Sequence, residues 1–108
     1  MSKVFAISST GKTGKSFLDL RFGKCENVVL YNKDNDNYTI LENPYKDKQH
    51  SGIQLVKYLK EEGVNTIITG EVGPMVSALL EKEKIQLVLL NEEKIKIDEI
   101  IAKMKPKS

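Results

Sequence analysis

Gly63 to Pro74 reads GVNTIITGEVGP, and this stretch decides the fold. Its first part, VNTIIT from Val64 to Thr69, is rich in β-branched residues and is stopped by Gly70, which predicts a buried strand. The turn Gly70-Glu71-Val72-Gly73 then leads to Pro74. Proline suits the first helical position because its missing N–H would have no partner there and its φ is preset. Met75, Val76, Leu79 and Leu80 follow on one helical face. A strand that runs straight into a helix returns the chain to the start of the sheet, so the next strand should lie parallel to it.

The same grammar extends in both directions. Upstream, Ser51 with Gln54 three residues on forms a capping-box pattern, and Ile53, Val56 and Leu59 continue at helical spacing until Gly63. Downstream, Ile85 to Leu90 is an apolar strand, and Ile97, Ile100, Ile101 and Met104 form an amphipathic stripe for a last helix. Near the start, Lys3 to Ser8 (KVFAIS) reads as a buried central strand, followed by a long loop over residues 9–24. Asn27 to Asn32 and Asn37 to Glu42 are β-rich runs separated by the polar turn KDND, an antiparallel hairpin. The order is β-β-β-α-β-α-β-α, a mixed five-stranded α/β sandwich. Strands 1, 4 and 5 should be parallel and covered on both faces, with the hairpin at one edge. With 108 residues the chain suits one domain, placed at 1–104, and Lys105-Pro106-Lys107-Ser108 is expected to be a frayed tail.

The totals exclude several functions. Seventeen basic and 15 acidic residues give a net charge of +2, too mild a field to predict nucleic-acid or membrane binding. The chain has no apolar run of membrane-spanning length and no leader pattern at Met1, so a cytoplasmic location is expected. One cysteine, Cys25, excludes an internal disulfide, and with the lone His50 it cannot complete a zinc site.

Ser9 to Ser16, STGKTGKS, looks like a nucleotide-binding P-loop but lacks its first glycine, since Ser9 stands there. The segment after it meets Gly23 before a supporting helix could form, and no apolar run ends in a magnesium-binding aspartate. It reads as a basic connecting loop. A two-metal nuclease of ribonuclease H type needs a carboxylate on the first strand, and VFAIS has none. A nucleophile paired with His50 has no supporting motif.

In α/β sheets of this kind ligands settle beyond the carboxyl ends of the parallel strands. That region gathers the loop after Ser8, the turn after Thr69 and the helix start at His50-Ser51. The turn Gly70 to Gly73 either holds an anion on free N–H groups or simply starts its helix; its place at the ligand edge favours the first. His50 is a metal ligand, an anion donor or an idle loop residue. Cys25 is a thiolate at an open site or a small packing residue, with Glu26 beside it to raise its pKa. Ser8, Ser9 and Thr10 bond a ligand or turn the chain.

Arg21 to Cys25 (RFGKC), an antiparallel pair, Glu42-Asn43-Pro44, His50-x-Gly52 before a helix, and GVNTIITGEVGP follow one another in an order and spacing that resemble the dinitrogenase iron-molybdenum cofactor biosynthesis family. Its members are small domains similar to NifX and to the C-terminal portion of NifB, and the likeness runs from about Val4 to Met104. The resemblance implies a ribonuclease H-like three-layer sandwich with strand order 3-2-1-4-5 and strand 2 antiparallel. It implies a non-catalytic carrier of an iron-sulphur or iron-molybdenum type cluster during cofactor assembly, working with cluster donor or acceptor proteins as a monomer or weak homodimer.

By position the FG motif falls on Phe22 and Gly23, the metal ligands on Cys25 and His50, and the glycine turn on Gly70 and Gly73. Ser8, Ser9, Arg21 and Glu71 complete the expected cofactor-binding set, with Lys12, Lys15 and Arg21 facing the cluster's negative charge. The chain departs from the pattern in ENVV, where relatives often have an aromatic after the cysteine, and in lacking a histidine-rich tail. The alternative is a metal-free module for a small anion, phosphate or nucleotide, at residues 70–73.

Overall fold

The computed structural model describes residues 3–92 and 94–104; the expected tail, 105–108, lies outside them. Its elements are β1 (Val4–Ser9), β2 (Asn27–Asn32), β3 (Asn37–Glu42), α1 (Ser51–Glu61), β4 (Thr66–Thr69), α2 (Pro74–Lys82), β5 (Gln86–Leu89) and α3 (Ile97–Met104). The sheet order is β3-β2-β1-β4-β5. β2 runs antiparallel to both β1 and β3, while β4 and β5 follow β1 in parallel.

Strand alternation builds two cores from one sheet. Ala6, Val28 and Ile67 point to the side covered by α1 and α2, where they meet Leu55, Val56, Leu59 and Leu80. Ile7, Val29, Tyr31 and Ile68 point to the other side, where α3 lays Ile97, Ile100 and Ile101 against them. The strands buried on both faces are therefore apolar at nearly every position, which is why TIIT and VFAIS lack a polar alternate. Gly63 ends α1 at φ 84, a left-handed position that favours glycine.

The long loop after β1 is ordered by the sheet. Ser9 bridges to Leu18 and Phe17 to Lys96, and Leu18 N–H donates to Ile95 O at 2.8 Å. STGKTGKS turns its carbonyls, not its N–H groups, to a helix: Ile97 N–H donates to Ser16 O at 2.9 Å and Asp98 N–H to Gly14 O at 2.8 Å. That is the reverse of a phosphate cradle. Lys12 pairs with Glu42 at 2.6 Å at the end of β3.

The start of α1 corrects the capping-box reading. The N-cap is His50, in left-handed geometry at φ 55 and ψ 37, and it makes no side-chain cap bond. Ser51 is already helical, and the Gln54 side-chain amide donates to Gln49 O at 2.8 Å. A chain that enters the helix through a left-handed residue does not present the preceding N–H that a capping box requires. β4 also begins later than expected: Val64 N–H still serves the end of α1, through Leu59 O at 3.1 Å.

Candidate functional site

A cleft of about 490 Å³ opens where the 21–24 loop and the starts of α1 and α2 converge. Two glycines let these segments meet. A Cβ on Gly23 would lie 2.6 Å from Gly52 N and 2.9 Å from Gly52 Cα, so only glycine lets the loop abut the first turn of α1. A Cβ on Gly52 would lie 2.7 Å from Val76 Cγ2, which sets α1 against α2. Phe22, only 3% exposed, anchors the loop in the α1/α2 core. On the far side Arg21 bridges to Glu71, tying the loop to the turn after β4.

The walls carry donors and positive charge. Neither α1 nor α2 has a side-chain cap or an acidic residue in its first turn. The first N–H groups of a helix have no partner within it, and the dipole concentrates positive potential there. Arg21 and Lys24 add cations from the loop, and Glu71 is the one acidic residue of the lining. Arg21 is held in place by Asp19, whose buried Oδ1 accepts from Arg21 N–H at 3.0 Å and Nε at 3.4 Å. Such a cleft can hold an anion without covalent ligation.

Five of the ten residues proposed from the sequence line this cleft: Arg21, Phe22, Gly23, Glu71 and Gly73. The other five lie elsewhere, each for a physical reason. Ser8 is buried and its Oγ donates to Asp19 O at 2.6 Å and lies 2.8 Å from Thr69 Oγ1, which ties β1 to β4. Ser9, also buried, turns the chain by donating to Gly11 O at 2.9 Å. Gly70 packs on the backbone of Leu20, where a Cβ would come within 2.5 Å of Leu20 Cα.

Cys25 does not stand at an open site. It has no exposed surface and belongs to the α1/α2 core, with Asn43 Nδ2 donating to its carbonyl at 3.0 Å and lying 3.7 Å from its Sγ. Burial, helped by the negative charge of Asp19, pushes the thiol up to about 12, against a small opposing pull from the Asn43 bond. The thiolate that metals require is thus suppressed at neutral pH. His50 is exposed beside the cleft but is not part of its lining. Among the described residues no group of three or more His, Cys, Asp or Glu is arranged to hold a metal ion.

Sequence reasoning passed over Lys24, Gly52, Val76 and Asp19. Lys24 lies inside RFGKC and Gly52 inside His50-x-Gly52, so both were in quoted motifs without a role attached. Asp19 carries the clearest signal, an acid among the apolar residues of FLDL.

Fold and cleft together define a small α/β domain, built on a mixed sheet of order 3-2-1-4-5, with an open hollow lined by Arg21, Lys24 and the starts of two helices. The chain belongs to the dinitrogenase iron-molybdenum cofactor family, whose model matches residues 1–107. Its fold is that of the apo form of the orange protein from Desulfovibrio gigas, with a TM-score of 0.85 at 19% identity over 95% of this chain and 87% of that one. A candidate NifB protein from Thermotoga, solved by NMR, aligns with a TM-score of 0.78 at 26% identity over 94% of this chain and 85% of that one. No curated protein matches the sequence. Among the described residues no helix is long and apolar enough to cross a membrane.

Proposed function

We propose that this protein is a non-catalytic cytoplasmic carrier that holds an anionic iron-sulphur or iron-molybdenum type cluster during cofactor assembly. The observation that carries the reading is the convergence of two uncapped helix starts with Arg21 and Lys24 on one cleft, in a chain of this family. Covalent ligation does not fit the residues present, because the one thiol is buried and protonated and His50 stands alone. Charge and backbone donors fit a cargo that must be released to a partner, since each such bond is individually weak and exchanges with water. Cluster donor and acceptor proteins are the partners this role requires.

Anaerobic reconstitution with iron and sulphide, followed by visible absorption, tests it. Uptake by the wild type that falls in an Arg21→Ala/Lys24→Ala double variant and survives Cys25→Ala is the expected result. Uptake that depends on Cys25 alone, or no uptake, would sink it. The enclosure of the Cys25 thiol favours a second reading, a metal-free module for a small oxyanion in the same cleft. A rise in thermal stability with phosphate, without any reconstitution, would select that reading.

A further inference from the structure

One side chain at the start of α1 is left without work by the fold. Ser51 is only 5% exposed, yet it lines the cleft. Among the described residues its hydroxyl has no hydrogen-bond partner: it is not the N-cap, and no neighbouring side chain or carbonyl receives it. Its Oγ would stand 2.8 Å from a Cβ placed on Gly23, so it overhangs the glycine floor where the loop meets α1. The oxygen is not among the fully enclosed unpartnered atoms, so what little of Ser51 is exposed includes the hydroxyl, which opens to the cleft where an acceptor can come from outside. Arg21 and Lys24 share the lining, so that partner is a negatively charged acceptor.

We propose that Ser51 is the specificity-determining donor of the cleft, reading the outer acceptor atoms of the bound anion. The proposal rests on the cleft being an anion site, as argued above. Charge alone attracts any anion of suitable size, whereas a fixed hydroxyl rewards one with an acceptor at its periphery, either oxygen as in phosphate or molybdate, or sulphide as in a cluster. Oxygen accepts more strongly than sulphur, so the two sources separate by the size of the effect.

The test titrates orthophosphate and molybdate by calorimetry, and the iron- and sulphide-reconstituted species by absorption, against wild type, Ser51→Ala and Arg21→Ala. Ser51→Ala should weaken oxyanion binding about tenfold and cluster retention about threefold, the usual worth of a hydrogen bond to a charged group and of a weaker one. Because the hydroxyl bonds nothing in the protein, the melting temperature of the ligand-free variant should stay within about 2 °C of wild type. Unchanged affinity in Ser51→Ala with loss in Arg21→Ala overturns the role of Ser51 and leaves the cleft reading standing. No binding by the wild type overturns both. A loss of affinity accompanied by a melting temperature lowered by more than about 5 °C assigns Ser51 to the scaffold and also overturns the proposal.

Discussion

The start of α3 and the starts of α1 and α2 are the same kind of feature finished in opposite ways. α3 opens with Asp98 and Glu99 in its first turn, and the loop before β2 hands it carbonyls from Ser16 and Gly14. α1 and α2 open with no acid and no side-chain cap, and they do so at the cleft. On the α3 side of the sheet the protein satisfies its own helix; at the cleft it leaves donors unspent. The same division runs through the polar residues at the strand ends, where Ser8, Ser9 and Cys25 are enclosed while Arg21 and Gly73 face open space. Substitutions in the closed region should therefore change stability and spare binding, and those in the open region should do the converse.

The largest effect belongs to the closed region and is a pH dependence. The Cys25 thiol is raised from 9.0 to about 12 by burial and by Asp19, so the fold keeps its proton while the unfolded chain releases it. The native state then binds more protons than the unfolded one between these values, and stability falls as pH rises through that window. Below pH 9 this contribution is fully present; between 9 and 12 it is lost at up to about 1.4 kcal/mol per pH unit. Denaturant titrations of wild type and Cys25→Ala at pH 8 and 10.5 measure it. Parallel pH dependence in the two proteins would show that the thiol is not enclosed as described.

Next in size is Gly70→Ala. The new Cβ would lie 2.5 Å from Leu20 Cα, a backbone atom that cannot swing aside. Overpacking of this kind costs about 2 kcal/mol, or roughly 10 °C in melting temperature for a domain of this size. Anion affinity of the folded fraction should be unchanged, because Gly70 is outside the cleft lining. A variant that melts normally would move Gly70 out of the closed region.

These two residues also show what the sequence could and could not disclose. Periodicity and turn chemistry located every element, and the hairpin strands match residue for residue, because a strand bounded by asparagines and a helix started by Gly73-Pro74 are local facts. The parallel strands followed from connectivity, and the full order 3-2-1-4-5 from the family resemblance. Depth did not. Nothing local distinguishes Cys25 at an open rim from Cys25 in the core, since its burial depends on Asn43 and on helices far along the chain. Ser8 and Thr69 meet across 61 positions, so a hydroxyl that the sequence offers to a ligand is engaged within the sheet. The family resemblance sets Lys12 and Lys15 of STGKTGKS toward a cluster, yet Lys12 pairs with Glu42 instead. Charge at the cleft comes from Arg21, as expected, and from Lys24, whose role needed the loop's geometry to appear.

In the open region Arg21→Ala should leave the fold within about 0.5 kcal/mol of wild type, because its side chain is 63% exposed. Phosphate affinity, or retention of the reconstituted species, should fall about fivefold as one cation leaves the lining. Raising salt should narrow that difference, since an exposed charge is screened within about 10 Å at 0.1 M. A melting temperature that drops with unchanged affinity would make the Asp19–Arg21 pair a strut of the loop and nothing more.

The smallest stability change, and the sharpest contrast with Gly70, is expected for Gly73→Ala. At φ −75 and ψ 167 its backbone suits any residue, and a Cβ there meets nothing within 4 Å. Alanine is a poorer N-cap than glycine by several tenths of a kcal/mol, while the reduced freedom of the unfolded chain returns about 0.4–1 kcal/mol, so the two nearly cancel. The melting temperature should move by less than about 3 °C. The added methyl group nevertheless sits on a residue of the cleft lining, at the start of α2, and occupies space that is open in the wild type. Affinity should fall although no charge, hydroxyl or hydrogen bond of the protein has been removed. Beyond that small N-cap preference the fold makes no steric demand for glycine here, and a clear path to the start of α2 is the second reason for one. An alanine variant that binds as well as wild type would remove that reason and put the start of α2 among ordinary helix termini.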